Sequence, residues 1–484
     1  MKIVPLFGSG IAGSSQVITA QRRLNCYLEN REDGDKTKIA VKGTPGLSPS
    51  FTVGSTGNLP VRSMNGDANY LYVCAYNQFL QVNPTTGATI NSDTLASFAT
   101  LCSMAVSPTQ VVIADGVTGY VFNIVTNAFT TLASGSTWPA VGAKTVTYVG
   151  GFFVAEQPGT QAFWVSNAFD GSTWGALSTA NAASTGDVIL AVDNLSGNLL
   201  IFMGQAMEYW QNVGASPQPF QPVLSAFNQW GLGAIFSRAH INQGLIFLAV
   251  NTNGTAQVVN ANYYTVTVIS TTDLESIING FSTFADAVAL TYQVGKHPMY
   301  QITFPTGNRS FLYDCSTGIW SEAQTGTSVI PSRHWGNLST FAAGFNFISD
   351  FATNQIYQMN PNVYTDNGQT IIRQIITRHV LSQFNRVRIS LLYLDMETGV
   401  GLQTGQGSNP QIMLKSSKDN GRTWSAERWA PLGKIGFYLW RVIWRRFGSA
   451  RDYVFSITMS DPVKFVITEG AIKLSERQPA AKLR

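Results

Sequence analysis

Short apolar runs rich in Val, Ile, Phe, Tyr and Thr recur along the chain, separated by Gly, Asn, Asp and Pro. A helical period of 3.6 residues is nearly absent, so the pattern predicts β-strands. The centres of the strongest runs follow one another at steps of 41 to 55 residues, near Leu71, Val112, Phe153, Leu200, Ile246, Gln301 and Asn346. A period in the forties is typical of units built from four strands.

Similar turns follow several of these runs, at residues 79–87, 120–127 and 311–318. Each has a strand, a polar turn residue and then a Gly or Asn that tolerates positive φ before the chain returns. We therefore predict an all-β chain with a β-propeller of about seven blades over residues 51–370, with six or eight blades left open. A set of β-sandwiches is the alternative, but it gives no reason for a long-period repeat of turns.

The ends of the chain differ from this repeat. Residues 386–393 and 453–459 alternate between apolar and polar positions, which predicts half-buried strands. We expect an N-terminal arm at residues 1–50 and a smaller, basic C-terminal β-domain at 371–484, in which residues 478–484 form a loose tail.

Charge is sparse and unevenly distributed. Lys and Arg number 31 against 27 Asp and Glu, and charged residues make up 12% of the chain, about half of what is usual. Residues 43–370 carry 6 basic and 15 acidic groups, a net of −9, whereas residues 371–484 carry 18 and 8, a net of +10. Such surfaces favour packed assembly, and no apolar run approaches the roughly 18 residues of a membrane span.

Nothing in the sequence indicates a cofactor, a metal or a catalytic group. The four Cys and four His residues are scattered, without the spacing of a metal site. Gly8, Gly10 and Gly13 with Asp33 formally match a dinucleotide-binding pattern, but Pro5 interrupts the preceding strand and no βαβ context follows. We expect a protein that is not an enzyme.

One motif resembles the Asp-box of sialidase-type propellers, namely SKDNGRTW at 417–424. We interpret it as a structural turn in which Asp419 accepts backbone N–H groups, Gly421 supplies positive φ and Trp424 packs on the returning strand.

Two glycan-related functions remain alternatives. A sialidase-like hydrolase would need convergent arginines, and residues 43–370 contain only Arg62, Arg238, Arg309 and Arg333. A glycan-binding adhesin would need exposed aromatic platforms. The tryptophans available for them are Trp138, Trp164, Trp210, Trp230 and Trp335.

The densest cationic and aromatic cluster is at residues 440–451. As a strand it would place Tyr438, Trp440, Val442 and Trp444 on one face. Its arginines could meet phosphates or an acidic partner, or their stems could cover core aromatics. We take Arg441, Arg445, Arg446 and Arg451 as interface candidates.

Six blocks near the two ends of the chain resemble one family, the packaged-DNA stabilisation proteins, or tail hub and nozzle proteins, of short-tailed bacteriophages. They are QRRLNCYLE at 21–29, GTPGL at 43–47, KDNGRTW at 418–424, GKIG at 433–436, RVIWRRFG at 441–448 and DPVKF at 461–465. The resemblance implies no reaction and no cofactor.

What the resemblance does imply is a subunit of the virion tail, assembled in the cytoplasm of the bacterial host. It implies a hexameric homo-oligomeric ring below the portal and its head-to-tail adaptor, which extends the channel for genomic DNA and retains the packaged genome until ejection. A tail needle, tailspike or fibre as a further partner is left open.

Overall fold

The computed structural model describes residues 2–3, 8, 10–31, 39–54, 60–97, 100–132, 138, 142–242, 244–381 and 385–476. The tail predicted at 478–484 lies outside these residues. Five strands precede the repeat: β1 (Lys2–Ile3), β2 (Arg22–Leu24), β3 (Cys26–Asn30), β4 (Ile39–Gly43) and β5 (Gly46–Thr52).

Seven antiparallel units follow, which we number blades 1 to 7. Blade 1 contains β6 (Val61–Gly66), β7 (Leu71–Ala75), β8 (Gln78–Val82) and β9 (Thr89–Thr94). Blade 2 contains β10 (Ser103–Val106), β11 (Gln110–Ala114), β12 (Gly119–Asn123) and β13 (Phe129–Leu132). Blade 3 contains β14 (Val146–Val149), β15 (Phe152–Glu156), β16 (Ala162–Asn167) and β17 (Asp170–Asn181). Blade 4 contains β18 (Ile189–Leu195), β19 (Asn198–Met203), β20 (Met207–Asn212) and β21 (Phe220–Pro222).

The remaining blades depart slightly from this plan. Blade 5 contains β22 (Gly231–Leu232), β23 (Ala239–Ile241), β24 (Gly244–Val250), β25 (Ala256–Asn262) and β26 (Thr265–Val268). Helix α1 (Thr272–Asn279) leads into blade 6, which contains β27 (Val288–Val294), β28 (His297–Phe304), β29 (Arg309–Asp314) and β30 (Ile319–Ala323). Blade 7 contains β31 (Gly336–Ala342), β32 (Phe345–Asp350) and β33 (Gln355–Asn360), with β5 as its outer strand. Short 3-10 turns lie at Leu224–Ala226 and Ile235–Ser237.

The blades close into a ring, because neighbouring blades contact one another, mostly through their inner strands and through β19 and β22 between blades 4 and 5, and β31 of blade 7 contacts β6 of blade 1. The predicted propeller is thereby confirmed. Each of the seven predicted strand centres lies in the second strand of its blade, counted from the ring centre. Strand β5 comes from before the repeat and completes blade 7, so the two ends of the propeller are held by main-chain hydrogen bonds.

The repeated turns have the predicted geometry. Asn83 Oδ1 accepts hydrogen bonds from the N–H groups of Thr85 and Thr86, and Asn123 Oδ1 does the same in the next blade for Val125 and Thr126. The residues that turn the chain back take positive φ, as at Gly87 (φ 73°). The polar residue of each repeat therefore satisfies the turn backbone.

Ten strands make up the C-terminal part. They are β34 (Thr365–Asp366), β35 (Gln369–Thr370), β36 (Arg373–Ile376), β37 (Val380–Leu381), β38 (Val387–Met396), β39 (Gln411–Ser417), β40 (Arg428–Pro431), β41 (Val442–Ala450), β42 (Asp452–Met459) and β43 (Val466–Glu476). Strands β34 and β35 pair with each other as a separate hairpin, and the other eight form two sheets with strands from the N-terminal end. The first, which we call the β38 sheet, has the order β3-β4-β43-β38-β41, and β1 also pairs with β43. The second, the β42 sheet, has the order β2-β36-β42-β39-β40, and β37 also pairs with β42.

One apolar core, which includes Cys26, Ile389, Trp444 and Phe455, fills the space between these sheets. The β42 sheet is also continuous with blade 6, because β2 pairs in parallel with β30 at Leu24 and Glu322. The first 43 residues thus pair mostly with C-terminal strands. The boundaries of the arm, propeller and C-terminal domain stay predictions.

Two details of the predicted C-terminal strands are wrong. Strand β42 is buried at every position rather than half-buried, since its second face is covered by side chains such as Gln374, which donates to Ser456 Oγ. Regular alternation from Arg386 predicts that Leu392 shares the polar face of Arg386 and Arg388. In β38 the register shifts between Ile389 and Leu391, and this bulge moves Leu392 into the core.

Candidate functional site

The Asp-box residues form a tight turn after β39. Asp419 accepts from Thr423 N (2.9 Å), Thr423 Oγ1 (2.5 Å) and Ser417 Oγ (2.7 Å). The bonds from Thr423 and Ser417 lower the pKa of Asp419 to about 2. Gly421 takes φ 89°, and a Cβ there would lie 3.1 Å from the Cβ of Ala20. The half-buried Trp424 lies within van der Waals distance of the same position. These contacts build a hairpin end, not a substrate site.

An exposed apolar segment lies between β40 and β41, at residues 435–440, and we call it the tip. Its side chains are exposed by 53% at Ile435, 55% at Phe437, 72% at Tyr438, 96% at Leu439 and 43% at Trp440. The backbone is nonetheless held in place, because Thr398 Oγ1 donates to Tyr438 O (2.9 Å) and Gly436 N donates to Gly399 O (3.2 Å). The predicted strand face with Tyr438 and Trp440 is therefore wrong at these two residues, although Val442 and Trp444 are buried.

The four interface candidates are all exposed, but they are spread along β41. Arg441 follows the tip directly, while Arg451 lies beyond the other end of the strand. Arg446 takes φ 64° at a bulge in the pairing with β38. Beneath them, the Arg428 guanidinium lies 4.9 Å from the ring centroid of Phe447. The side chain that covers a core aromatic is thus Arg428, which sequence reasoning missed.

A Ser-His-Asp group in blade 6 does not have the geometry of a hydrolase triad. His297 Nδ1 lies 2.8 Å from Asp314 Oδ2 and 2.7 Å from Ser316 Oγ, so both partners use the same ring nitrogen. Asp314 also accepts from the Ser316 hydroxyl and N–H. In a triad the base must take the nucleophile's proton on the nitrogen opposite its carboxylate. This group therefore ties the β29–β30 turn to β28.

Two buried carboxyl groups have strongly raised pKa values, which often mark active sites. Burial raises the pKa of Glu156 to about 7, even though Thr145 Oγ1 and the N–H groups of Lys144 and Thr145 donate to it. Thr145 Oγ1 accepts from Val192 N in the next blade (2.9 Å). Burial likewise raises the pKa of Asp366 to about 7. Both carboxyl groups accept from backbone amides at junctions, so their roles are structural.

The tryptophans and arginines that the two glycan hypotheses need already make structural contacts within the blades. Trp138 and Trp210 are buried, and the other three tryptophans are half-buried against blade cores. Of the arginines, Arg62 donates to the carbonyl of Tyr76 in blade 1 and to two carbonyls in the connection from blade 1 to blade 2, and Arg238 pairs with Asp193 (2.6 Å). Arg309 pairs with Glu322, and Arg333 donates to Asn337 Oδ1. They do not converge on one site.

The remaining candidate chemistry is also structural. All four cysteines are free thiols, and burial raises the pKa of Cys26 to about 12. Gly10 packs against the main chain of Trp320, and residues 10–21 form turns rather than the helix of a dinucleotide site. Within the described residues no three His, Cys, Asp or Glu side chains are grouped to hold a metal ion. No helix in the described part of the chain is both long and apolar enough for a bilayer.

Comparison with protein families gives two matches that together cover most of the chain. Residues 25–364 match the model described as Bacteriophage P22 Gp10, beta-propeller, and residues 372–475 match Bacteriophage P22 Gp10, beta-sandwich. The chain belongs to the P22 Gp10 family. Gp10 proteins are structural proteins of the phage virion, so the chain is a tail component that assembles with other virion proteins.

Solved structures resemble the chain more distantly. A chain from "Crystal Structure of Mitotic Checkpoint Complex" is 12% identical, with a TM-score of 0.44 over 69% of this chain and 95% of that one. The Myceliophteria thermophila Cps50 (Swd1) beta-propeller domain is 8% identical, with a TM-score of 0.43 over 64% and 98%. At these values neither bears on function. No curated protein matches the sequence.

Proposed function

We propose that the protein is the subunit of a homo-oligomeric, hexameric ring in the phage tail. The ring is located below the portal and its adaptor, extends the channel for DNA and retains the packaged genome until ejection. Assembly takes place in the host cytoplasm. Membership of the Gp10 family supports a tail component, and the exposed tip is the observation that supports ring assembly.

The tip is a surface that water solvates poorly. Five of its six residues are large and apolar, and Leu439 is almost wholly exposed. Contiguous exposed apolar patches on folded proteins mark interaction sites. Burying a side chain of this size stabilises a contact by roughly 1.5 to 3 kcal/mol, so a few such residues in each interface hold a ring together.

We propose that the tip binds a second copy of the chain. A ring needs a heterologous contact, in which one surface of a subunit meets a different surface of the next. The tip is flanked by the exposed cations Lys434 and Arg441, whereas residues 43–370 carry a net charge of −9. The acidic groups of the propeller are half-buried or buried in the described residues, so charge orients the contact and apolar burial supplies its strength.

The four arginines of residues 441–451 are proposed to lie at or near contacts with the neighbouring subunit or the adaptor. Arg441 is the candidate closest to the tip in sequence, and its guanidinium is suited to planar pairing with a carboxylate. A needle, tailspike or fibre contact is not required by this arrangement.

The native mass of the purified protein, alone and with the portal and adaptor, tests the proposal. We expect a closed ring for the wild type and a monomer for the Tyr438→Ser/Leu439→Ser variant. The Val17→Ser/Ile18→Ser variant is the matched control, because it removes an adjacent exposed apolar pair elsewhere, with Ile18 81% exposed. Wild-type assembly by the tip variant would show that the tip is not the subunit contact. A wild-type chain that stays monomeric when the portal and adaptor are present would contradict the proposal that the protein forms a ring.

A further inference from the structure

The exposed charge of the C-terminal sandwich is almost entirely positive. Among the side chains described between residues 371 and 474, twelve Lys and Arg are exposed, against one exposed acidic residue, Glu427. Part of this charge is concentrated on the outer face of the β38 sheet. We call the side chains of Arg386, Arg388, Arg445 and Lys473 the cationic face.

Strand register places these four side chains together. Leu391 in the central strand β38 pairs with Arg445 of β41 on one side and with Lys473 of β43 on the other. Directly opposed residues point to the same face of a sheet, and adjacent strands are about 4.8 Å apart, so Arg445 and Lys473 are about 10 Å apart at their Cα atoms.

The second row of the face comes from β38 itself. Arg388 lies between Val387 and Ile389, which are both in the core, so its side chain points outward. Arg386 precedes the strand by one residue. It is two positions from Arg388, so an extended backbone directs both side chains to the same face. In the described part of the chain none of the four cations forms an ion pair. Four acidic residues lie on the strands of this sheet. Asp395 and Glu469 are paired with each other in register near its opposite end, Glu29 lies on β3, and Glu476 ends β43 opposite Val387.

We propose that the cationic face binds the phosphate backbone of duplex DNA. Four cations that form no ion pair in the described part of the chain, spread over about 15 Å of one sheet face, form a surface for a polyanion rather than for one small ligand. Since Lys and Arg side chains on a sheet face contact phosphates rather than base edges, we expect binding to be independent of base sequence. The inference deepens the proposed channel function and rests on it, because it places this face toward the DNA path.

The test is binding of a duplex of about 40 base pairs by the full-length protein between about 50 and 200 mM salt. The Arg386→Ser/Arg388→Ser/Lys473→Ser variant is compared with a matched control of equal charge change, Arg378→Ser/Lys418→Ser/Arg422→Ser. The control residues are exposed and follow strands of the other sheet. Arg445 is left intact, so that none of the proposed subunit-contact arginines is altered.

We expect the cationic-face variant to bind on the order of tenfold or more weakly at about 100 mM salt. The slope of log K against log salt should be reduced by about 0.9 for each phosphate that is no longer neutralised. The control variant keeps the larger part of the wild-type affinity. Arg386→Lys/Arg388→Lys retains binding, because a phosphate accepts either cation. Two duplexes of different sequence bind equally.

Three results would overturn the inference: no DNA binding by the wild type at the lowest salt, equal losses in the two triple variants, or loss of ring or adaptor assembly in the cationic-face variant with DNA binding retained. The last result would assign the face to an acidic protein partner. Native mass on the same variants separates this failure from failure of the ring, since the variant is expected to assemble normally.

Discussion

Asn25 and Gln324 exchange two hydrogen bonds across the junction between the N-terminal strands and blade 6. Asn25 Nδ2 donates to Gln324 O (2.9 Å) and Gln324 N donates to Asn25 Oδ1 (2.9 Å). The same amide donates to Ile372 O (2.8 Å), where the chain leaves the propeller for β36. One buried side chain thus joins the N-terminal end to two segments that lie 299 and 347 residues away in sequence.

Replacing Asn25 by Ala is expected to destabilise the protein by about 2 to 4 kcal/mol, because the substitution leaves buried backbone groups of Gln324 and Ile372 without partners. Asn25 also takes φ 51°, a conformation that Ala disfavours. Asn25→Gly relieves the backbone strain but does not restore the hydrogen bonds, so we expect an intermediate loss. Urea unfolding of the three proteins measures the order. Equal stability of Asn25→Ala and wild type would show that water replaces the amide.

This junction could not be predicted from the sequence, whereas the blades could. Blade strands are local, and their turn residues, such as Asn83 and Asn123, satisfy backbone groups two and three positions away. The pairings of β5 with β33 and of β2 with β30 join residues about 300 apart, and no short-range pattern encodes such a contact. Asn25 stands out in the sequence only as part of a family block.

The sequence predicts which apolar and basic residues make up the tip and the cationic face, but it does not predict which of their side chains are exposed. Alternation from Tyr438 to Trp444 is a valid strand pattern, yet the chain enters the strand only at Val442. Gly433 and Gly436 have φ values of 90° and 85°, and these turns allow the apolar residues to project from the sheet. Likewise, the role of Arg388 depends on register with β41 and β43, which one strand cannot reveal.

A second prediction concerns pH and the contact between blades 4 and 5. Asp193 accepts from Arg238 Nη1 (2.6 Å) and lies 2.9 Å from His240 Nε2. Burial opposes ionisation of both groups, but Arg238 and His240 outweigh it and lower the pKa of Asp193 to about 2, while Asp193 raises the pKa of His240. The imidazolium therefore stabilises the fold below the unfolded pKa of about 6.5.

This stabilisation is lost as the pH rises through the raised pKa of His240. We expect His240→Gln to lower the thermal midpoint at about pH 5.5 and to leave it nearly unchanged at about pH 9. The difference is less than about 1 kcal/mol, because the His240 side chain is 49% exposed. Thermal unfolding across this pH range measures it. A difference that is constant with pH would mean that the imidazole acts through packing instead of charge.

The last prediction is the combined replacement of Arg441, Arg445, Arg446 and Arg451 by Ser. All four side chains are exposed, and the core residues beside them, Trp444 and Phe447, are covered from elsewhere, Phe447 by Arg428. Surface substitutions of this kind change stability by about 0.5 kcal/mol or less each, so the monomer is expected to fold with nearly the wild-type unfolding midpoint. Incorporation into tails should fall, because the orientation of the charged contact is lost.

Particles made with this fourfold variant show whether the four arginines act in tail assembly or stabilise the sheet. Particles that fill with DNA and then release it would support the retaining role, and DNA content before and after storage measures this release. A variant with a sharply lower unfolding midpoint would indicate that the arginine stems support the sheet. Stable, infectious particles from a folded variant would remove the four arginines from the assembly contacts, and the tip would then have to orient the ring through apolar packing alone.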